Sequence, residues 1–150
     1  MAETVTSLTD SILQQLQHET FVILNTIDHE TGRITSNAIS WITALSHQCI
    51  RIAVDQRSRL ITNMKENKQV TLSLFAAGSF YAIQGRANIV QERMEDVPIK
   101  LSCIDIDVEE VREAMFYGSR ITVAPEFEKT YDKRAADKLD GQVFAALKKA

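Results

Sequence analysis

Arg57, Ser58 and Arg59 stand together in the stretch IRIAVDQRSRLITNMKENKQVTLSLF, residues 50–75. The stretch reads as strand, short polar turn, short helix and strand. The triplet therefore falls where a helix begins. Unpaired backbone N–H groups and the positive end of the helix dipole meet at such a point. Two guanidinium groups and a hydroxyl there suit a phosphate. The plainer reading makes Ser58 a helix N-cap and leaves the arginines on a solvated surface.

A second group of candidates lies on the strand of residues 34–45, ITSNAISWITAL. Its small residues Ser36, Asn37, Ala38 and Ser40 would let a flat ligand approach the backbone. They equally mark a bulge or a barrel corner. Trp41, the sole tryptophan, would form a wall of such a pocket, or a core or interface aromatic.

Other chemistries find no support. His47 sits in a hairpin loop with no partner for general-base work. Ser36 and Ser40 have no His/Asp arrangement, and there is no G-x-S-x-G elbow. There is no Gly-rich phosphate loop either. Cys49 and Cys103 form no CxxC pair and read as buried free thiols. His18, His29 and His47 lack ligand spacing, so no metal site is expected.

The elements that position these residues follow from periodicity. Residues 7–18 read as a helix with Leu8, Ile12, Leu13 and Leu16 as its apolar stripe, and Ser7 with Asp10 resembles a capping box. Residues 21–28, 34–45, 49–54, 70–75, 80–90 and 100–106 read as strands. Gly85 within FYAIQGRANIV marks a bulge or bend. Residues 59–67 make a short helix burying Leu60, Ile61 and Met64. Asp107 with Glu110 looks like a capping box before a helix VEEVREAMF, residues 108–116. Residues 121–123 would add a short edge strand. Residues 132–150 form a C-terminal helix, with Ala136, Leu139, Val143 and Leu147 on one stripe. Short strands joined by hairpins favour a closed antiparallel barrel in one domain spanning residues 1–150.

Composition agrees with an ordinary globular domain: 150 residues, 45% hydrophobic and 25% charged. A net charge of −3 argues against a nucleic-acid binder, which shows a basic face. No apolar run approaches the roughly 18 residues of a membrane span. The opening MAETVTSLTD is acidic and polar, unlike a secretory signal, so the cytoplasm is the expected location.

The block VDQRSRLITNMKENKQVTLSLF and the strand FYAIQGRANIV together resemble the FMN-binding split β-barrels related to pyridoxamine 5′-phosphate oxidase. The first is similar to that family's run of strand end, Ser-Arg-Lys, helix, Asn-x-x-Val and strand. The second is similar to its strand with a central Gly-basic-Ala. The resemblance covers roughly residues 21–107. It implies a mainly β fold with helices: a six-stranded antiparallel split barrel with an N-terminal helix, one short inserted helix and C-terminal helices. It implies a homodimer with FMN at the interface and a small-molecule electron donor or acceptor. FAD, a deazaflavin or haem are the other cofactors related barrels accept. Carried over by position, Asn37 and residues 38–43 (Ala38, Ile39, Ser40 and Trp41 among them) would run beside the flavin ring. Ala53 and Val54 would also touch it. Ser58 and Arg59 would hold the phosphate, aided by Arg57, and Phe80 falls at a further flavin contact.

Two departures bear on the cofactor. Leu60 stands where the family has a phosphate-pairing lysine. Loss of one charge-assisted contact costs on the order of 1.5–3 kcal/mol, about tenfold to a hundredfold in affinity. Phe80 replaces a residue that is often polar. The loop QERMEDVPIK does not match the substrate-phosphate loop of true pyridoxamine phosphate oxidases, and their C-terminal Trp/Arg segment is missing, so that reaction is not expected. The competing reading is a barrel that has lost flavin binding and serves as a dimeric binding or structural protein.

Overall fold

The computed structural model describes residues 4–150; residues 1–3, the start of the stretch MAETVTSLTD, lie outside the described residues. The order is β1 (Thr4–Val5), α1 (Asp10–Gln15), β2 (Val22–Ile27), β3 (Ile34–Ile39), β4 (Ile42–Ala44), β5 (Cys49–Asp55), α2 (Arg59–Glu66), β6 (Gln69–Ala76), β7 (Ser79–Gln91), β8 (Leu101–Glu113) and α3 (Lys133–Lys149).

All strands pair antiparallel in one sheet, in the order β3-β2-β6-β7-β8-β5-β4, with β1 added to β8. The two end strands, β3 and β4, are the halves of the single strand expected over residues 34–45. They part at Ser40 and Trp41, where the Ile42 N–H bonds back to the Ser40 carbonyl at 3.0 Å. The first half pairs with β2 and the second with β5. The sheet is thus curled, and its two ends meet through covalent chain rather than a ladder. The six strands expected become eight among the described residues, because this strand breaks in two and β1 adds a short rung.

Alternation builds the core. Val22, Leu24, Ile50, Ile52, Leu72, Leu74, Ile83, Ile104 and Ile106 face inward with at most 1% exposure. Each contributes roughly 1.5–3 kcal/mol by leaving water. Helix α1 and its flanking residues cover one end with Leu8, Ile12 and Leu16, and α2 adds Leu60, Ile61 and Met64. The α1 cap is Thr9, whose Oγ1 accepts the Ile12 N–H at 3.2 Å, rather than Ser7. Asp10 is instead taken by His47 Nε2 at 2.8 Å.

A second cluster lies outside the curl. Val143, Ala146 and Leu147 of α3 pack on Ala53, Met94, Leu101 and Cys103, with Trp41, Leu139 and Phe144 at its margin. Arg51 ties this layer down. It pairs with Asp105 through Nε (2.6 Å) and Nη2 (3.1 Å), and its Nη1 donates to the carbonyls of Leu147 (2.9 Å) and Ala150. Cys49 and Cys103 are free, and burial pushes both thiols up to about 11.

The helix expected over residues 108–116 is strand: β8 runs to Glu113. Val108 and Val111 are both buried although three residues apart. The register explains it. Gln84 pairs with Glu110 but Gly85 pairs with Val108, so Glu109 is an extra residue on β8. A bulge here counterfeits helical spacing. Gly85 permits the close approach. A Cβ there would stand 2.6 Å from both the Asp107 carbonyl oxygen and Ile106 Cγ2. The edge strand expected over residues 121–123 does not form; the segment makes only a single bond to the hairpin, from the Ile121 N–H to the Gly78 carbonyl at 2.6 Å.

Candidate functional site

The corner at Ser40–Trp41 opens a cleft of about 390 Å³. Its walls are Ala38, Ile39, Ser40 and Trp41 from the corner, Ala53, Val54 and Asp55 from the end of β5, and Lys129 and Tyr131 from the segment before α3. That volume is within the range of small-molecule sites. The backbone explains the convergence. The Ala53 N–H bonds the Trp41 carbonyl at 3.0 Å, holding the corner against β5.

Six of the residues expected at a flavin therefore share one cleft: Ala38, Ile39, Ser40, Trp41, Ala53 and Val54. Asn37 lies beside it on the exposed face of β3. Ile42 and Thr43, the far end of the expected run, are 1% and 2% exposed; Ile42 joins the core cluster, and Thr43 is buried on the opposite face of β4. Phe80 is elsewhere, on β7, with its ring tilted against Phe75 at 5.2 Å between centroids.

Trp41 is both wall and core margin. Its Nε1 donates to Asp140 Oδ1 at 2.9 Å. Lys129 reaches the same carboxyl at 3.2 Å and Glu19 at 2.8 Å. Ser40 Oγ donates to Glu19 at 3.0 Å. Partial burial pushes the Lys129 ammonium down, but hydrogen bonds to Glu19 and Asp140 outweigh it and hold it above the ordinary lysine value. Lys129 and Tyr131 were not expected here. They lie outside every helix and strand, so no periodicity marks them.

The helix start continues from the same wall. Asp55 ends β5, and the Arg57 N–H donates to its carboxylate at 2.8 Å. The exposed Arg57 side chain also faces Asp55 at 3.4 Å. Ser58 caps α2, accepting the Leu60 N–H at 3.2 Å. Arg59 is gripped by Asp28 through Nε (2.6 Å) and Nη2 (3.1 Å), with Glu30 at 3.6 Å. The Arg59 hydrogen bond holds the Asp28 carboxyl well below the usual carboxylate range, and the Thr31 N–H adds to the effect. Behind this pair, buried Asn63 accepts from the His29 N–H at 3.0 Å and donates to Thr26 Oγ1 at 3.0 Å. The cap and the basic residues are thus where the sequence placed them, but both arginines already have carboxylate partners.

The donor set suits the two ends of a flavin unequally. Small side chains at Ala38 and Ala53, with Trp41 and Tyr131 alongside, leave room for a flat ring. The phosphate end has the N-cap and dipole, but Arg57 and Arg59 are accompanied by Asp28, Glu30 and Asp55. A phosphate there must share Arg59 with Asp28.

Among the described residues no helix is long and apolar enough to cross a membrane. The sequence matches no protein-family model and no curated protein. Solved structures do match. A candidate pyridoxamine 5′-phosphate oxidase from Lactobacillus delbrueckii superposes with a TM-score of 0.59 at 18% identity, over 71% of this chain and 94% of that one. An FMN-binding protein from Syntrophomonas wolfei gives 0.51 at 13% identity, over 72% and 85%. An F420 reductase gives 0.51 at 15% identity, over 65% and 93%. At these identities the likeness is one of fold: the chain has the curled antiparallel architecture of the pyridoxamine 5′-phosphate oxidase-like and FMN-binding split barrels.

Proposed function

We propose that this chain is a flavin-binding oxidoreductase whose cleft at the Ser40–Trp41 corner takes the ring, with FMN as the first candidate cofactor. The observation that carries the reading is the convergence of Ala38, Ile39, Ser40, Trp41, Ala53 and Val54 on one cleft, whose wall residue Asp55 accepts the Ser58 N–H through its carbonyl at 2.9 Å just before the α2 helix start. The fold's likeness to FMN-binding and F420-linked proteins supports a flavin or deazaflavin class of ligand.

Ala38 and Ala53 let the ring approach the backbone. Trp41 and Tyr131 supply apolar area beside it. Ser58 and the α2 N-terminus receive the phosphate, with Arg59 contributing the guanidinium edge that Asp28 does not use. A bound flavin supplies the redox chemistry, and the protein supplies position and electrostatics. A small molecule is the electron donor or acceptor. A second copy of the chain closes the open side of the cleft, bringing residues such as Phe80 into reach of the cofactor.

An absorbance spectrum of the purified protein, followed by FMN titration, tests the reading. Bands near 370 and 450 nm, roughly the free-flavin positions, and a rise in Tm with micromolar FMN are expected. A colourless protein whose Tm ignores added FMN overturns it in favour of the flavin-free barrel, which the Asp28–Arg59 and Asp55–Arg57 pairs favour. Sedimentation of the native protein as a monomer removes the dimer.

A further inference from the structure

Lys129 lies in a segment with no regular structure, yet three parts of the chain fix its position. Glu19, before β2, and Asp140, on α3, hold its ammonium at 2.8 and 3.2 Å. Those carboxylates are themselves held, Glu19 by Ser40 Oγ at 3.0 Å and Asp140 by Trp41 Nε1 at 2.9 Å. The three charged side chains are 24%, 24% and 16% exposed. In such a setting charge interactions are stronger than in open water.

An ammonium has three N–H donors. Two carboxylates take two of them. Lys129 also lines the cleft, while its neighbours Ser40 and Trp41 have their donors committed to Glu19 and Asp140. We infer that Lys129 is a specificity-determining residue of the cleft, donating its third N–H to a carbonyl or ring-nitrogen acceptor of the flat heterocycle bound there. The inference rests on the flavin reading above and adds to it a contact to the ring. It therefore acts equally on flavins with and without a phosphate. The positive charge also favours the more electron-rich form of the ring.

Flavin fluorescence titrations of the full-length native protein, Lys129→Met and Lys129→Arg, each with FMN and with riboflavin, test it. Lys129→Met is expected to weaken both flavins by the same factor, about tenfold. Lys129→Arg restores most of the loss. The midpoint potential of the bound flavin falls in Lys129→Met. Unchanged affinity for both flavins, or a loss confined to FMN, overturns the assignment while leaving the flavin reading intact. If neither flavin binds the native protein, both fall. Should Lys129→Met fail to fold, Glu19→Gln serves instead: removing one counter-charge raises the potential of the bound flavin, and an unchanged potential overturns the assignment.

Discussion

The Asp28 carboxylate grips Arg59 side-on, at 2.6 Å from Nε and 3.1 Å from Nη2, across 31 residues of sequence. It couples the β2–β3 turn to the first residue of α2. Asp28 is 5% exposed and is further held by the N–H and Oγ1 of Thr31. Nη2 also faces Glu30 at 3.6 Å, so a phosphate at this helix start would compete with two carboxylates for the guanidinium.

Arg59→Ala should weaken FMN by at least about tenfold, the value of a charge-assisted contact. It also leaves the Asp28 carboxylate facing the phosphate. Riboflavin, which lacks the phosphate, should bind as before. Calorimetric titration with both flavins checks this; equal losses would mean that Arg59 serves only the fold.

Asp28→Asn should act in the opposite sense on FMN, because it releases Arg59 and removes a negative charge. Its FMN-to-riboflavin affinity ratio should rise above that of the native protein. An unchanged ratio in the same titrations would place the phosphate away from Arg59.

The Asp28 pair also gives a pH dependence. Its folded-state pKa is depressed, so its stabilisation is present above the ordinary carboxylate value near 4 and is lost as pH falls below it. Asp28→Asn should have a lower Tm than the native protein at pH 7. The gap should narrow as pH drops below about 4. Scanning calorimetry from pH 7 to 3 measures it; a gap that widens with acid would contradict the pair's role.

Gly85→Ala should destabilise by about 1–3 kcal/mol, the range for forcing atoms into a packed site. The new Cβ would meet backbone at 2.6 Å, which cannot swing aside. Urea unfolding gives the value, and a loss below about 0.5 kcal/mol would mean that the bulge relaxes freely.

Arg51→Met should cost about 3 kcal/mol, because it strands Asp105 and frees the last turn of α3. The double change Arg51→Met with Asp105→Leu should recover much of this, since a buried pair replaced by apolar residues is often neutral. Denaturant midpoints of the native protein and the two variants decide it.

Local chemistry alone determined a good deal about this protein. Alternating Val, Ile and Leu placed six strand runs, because each strand must bury one face. Leu60, Ile61 and Met64 placed α2, Ser58 its cap, and Ala136, Val143 and Leu147 the buried side of α3. Gly85 marked the bulge, since only glycine leaves room for the opposite strand. Over residues 108–116 the pattern misled because of the same bulge: one extra residue put Val108 and Val111 on the core face at helical spacing. Only the tertiary structure decided what lies across the chain. It broke the run of residues 34–45 at Ser40–Trp41 so that one strand could serve both ends of the sheet. It brought Lys129 and Tyr131 to the cleft and Asp28 to Arg59. Such partners leave no local signature, because an ion pair or a cleft wall depends on distance in space, and periodicity reports only on neighbours along the chain.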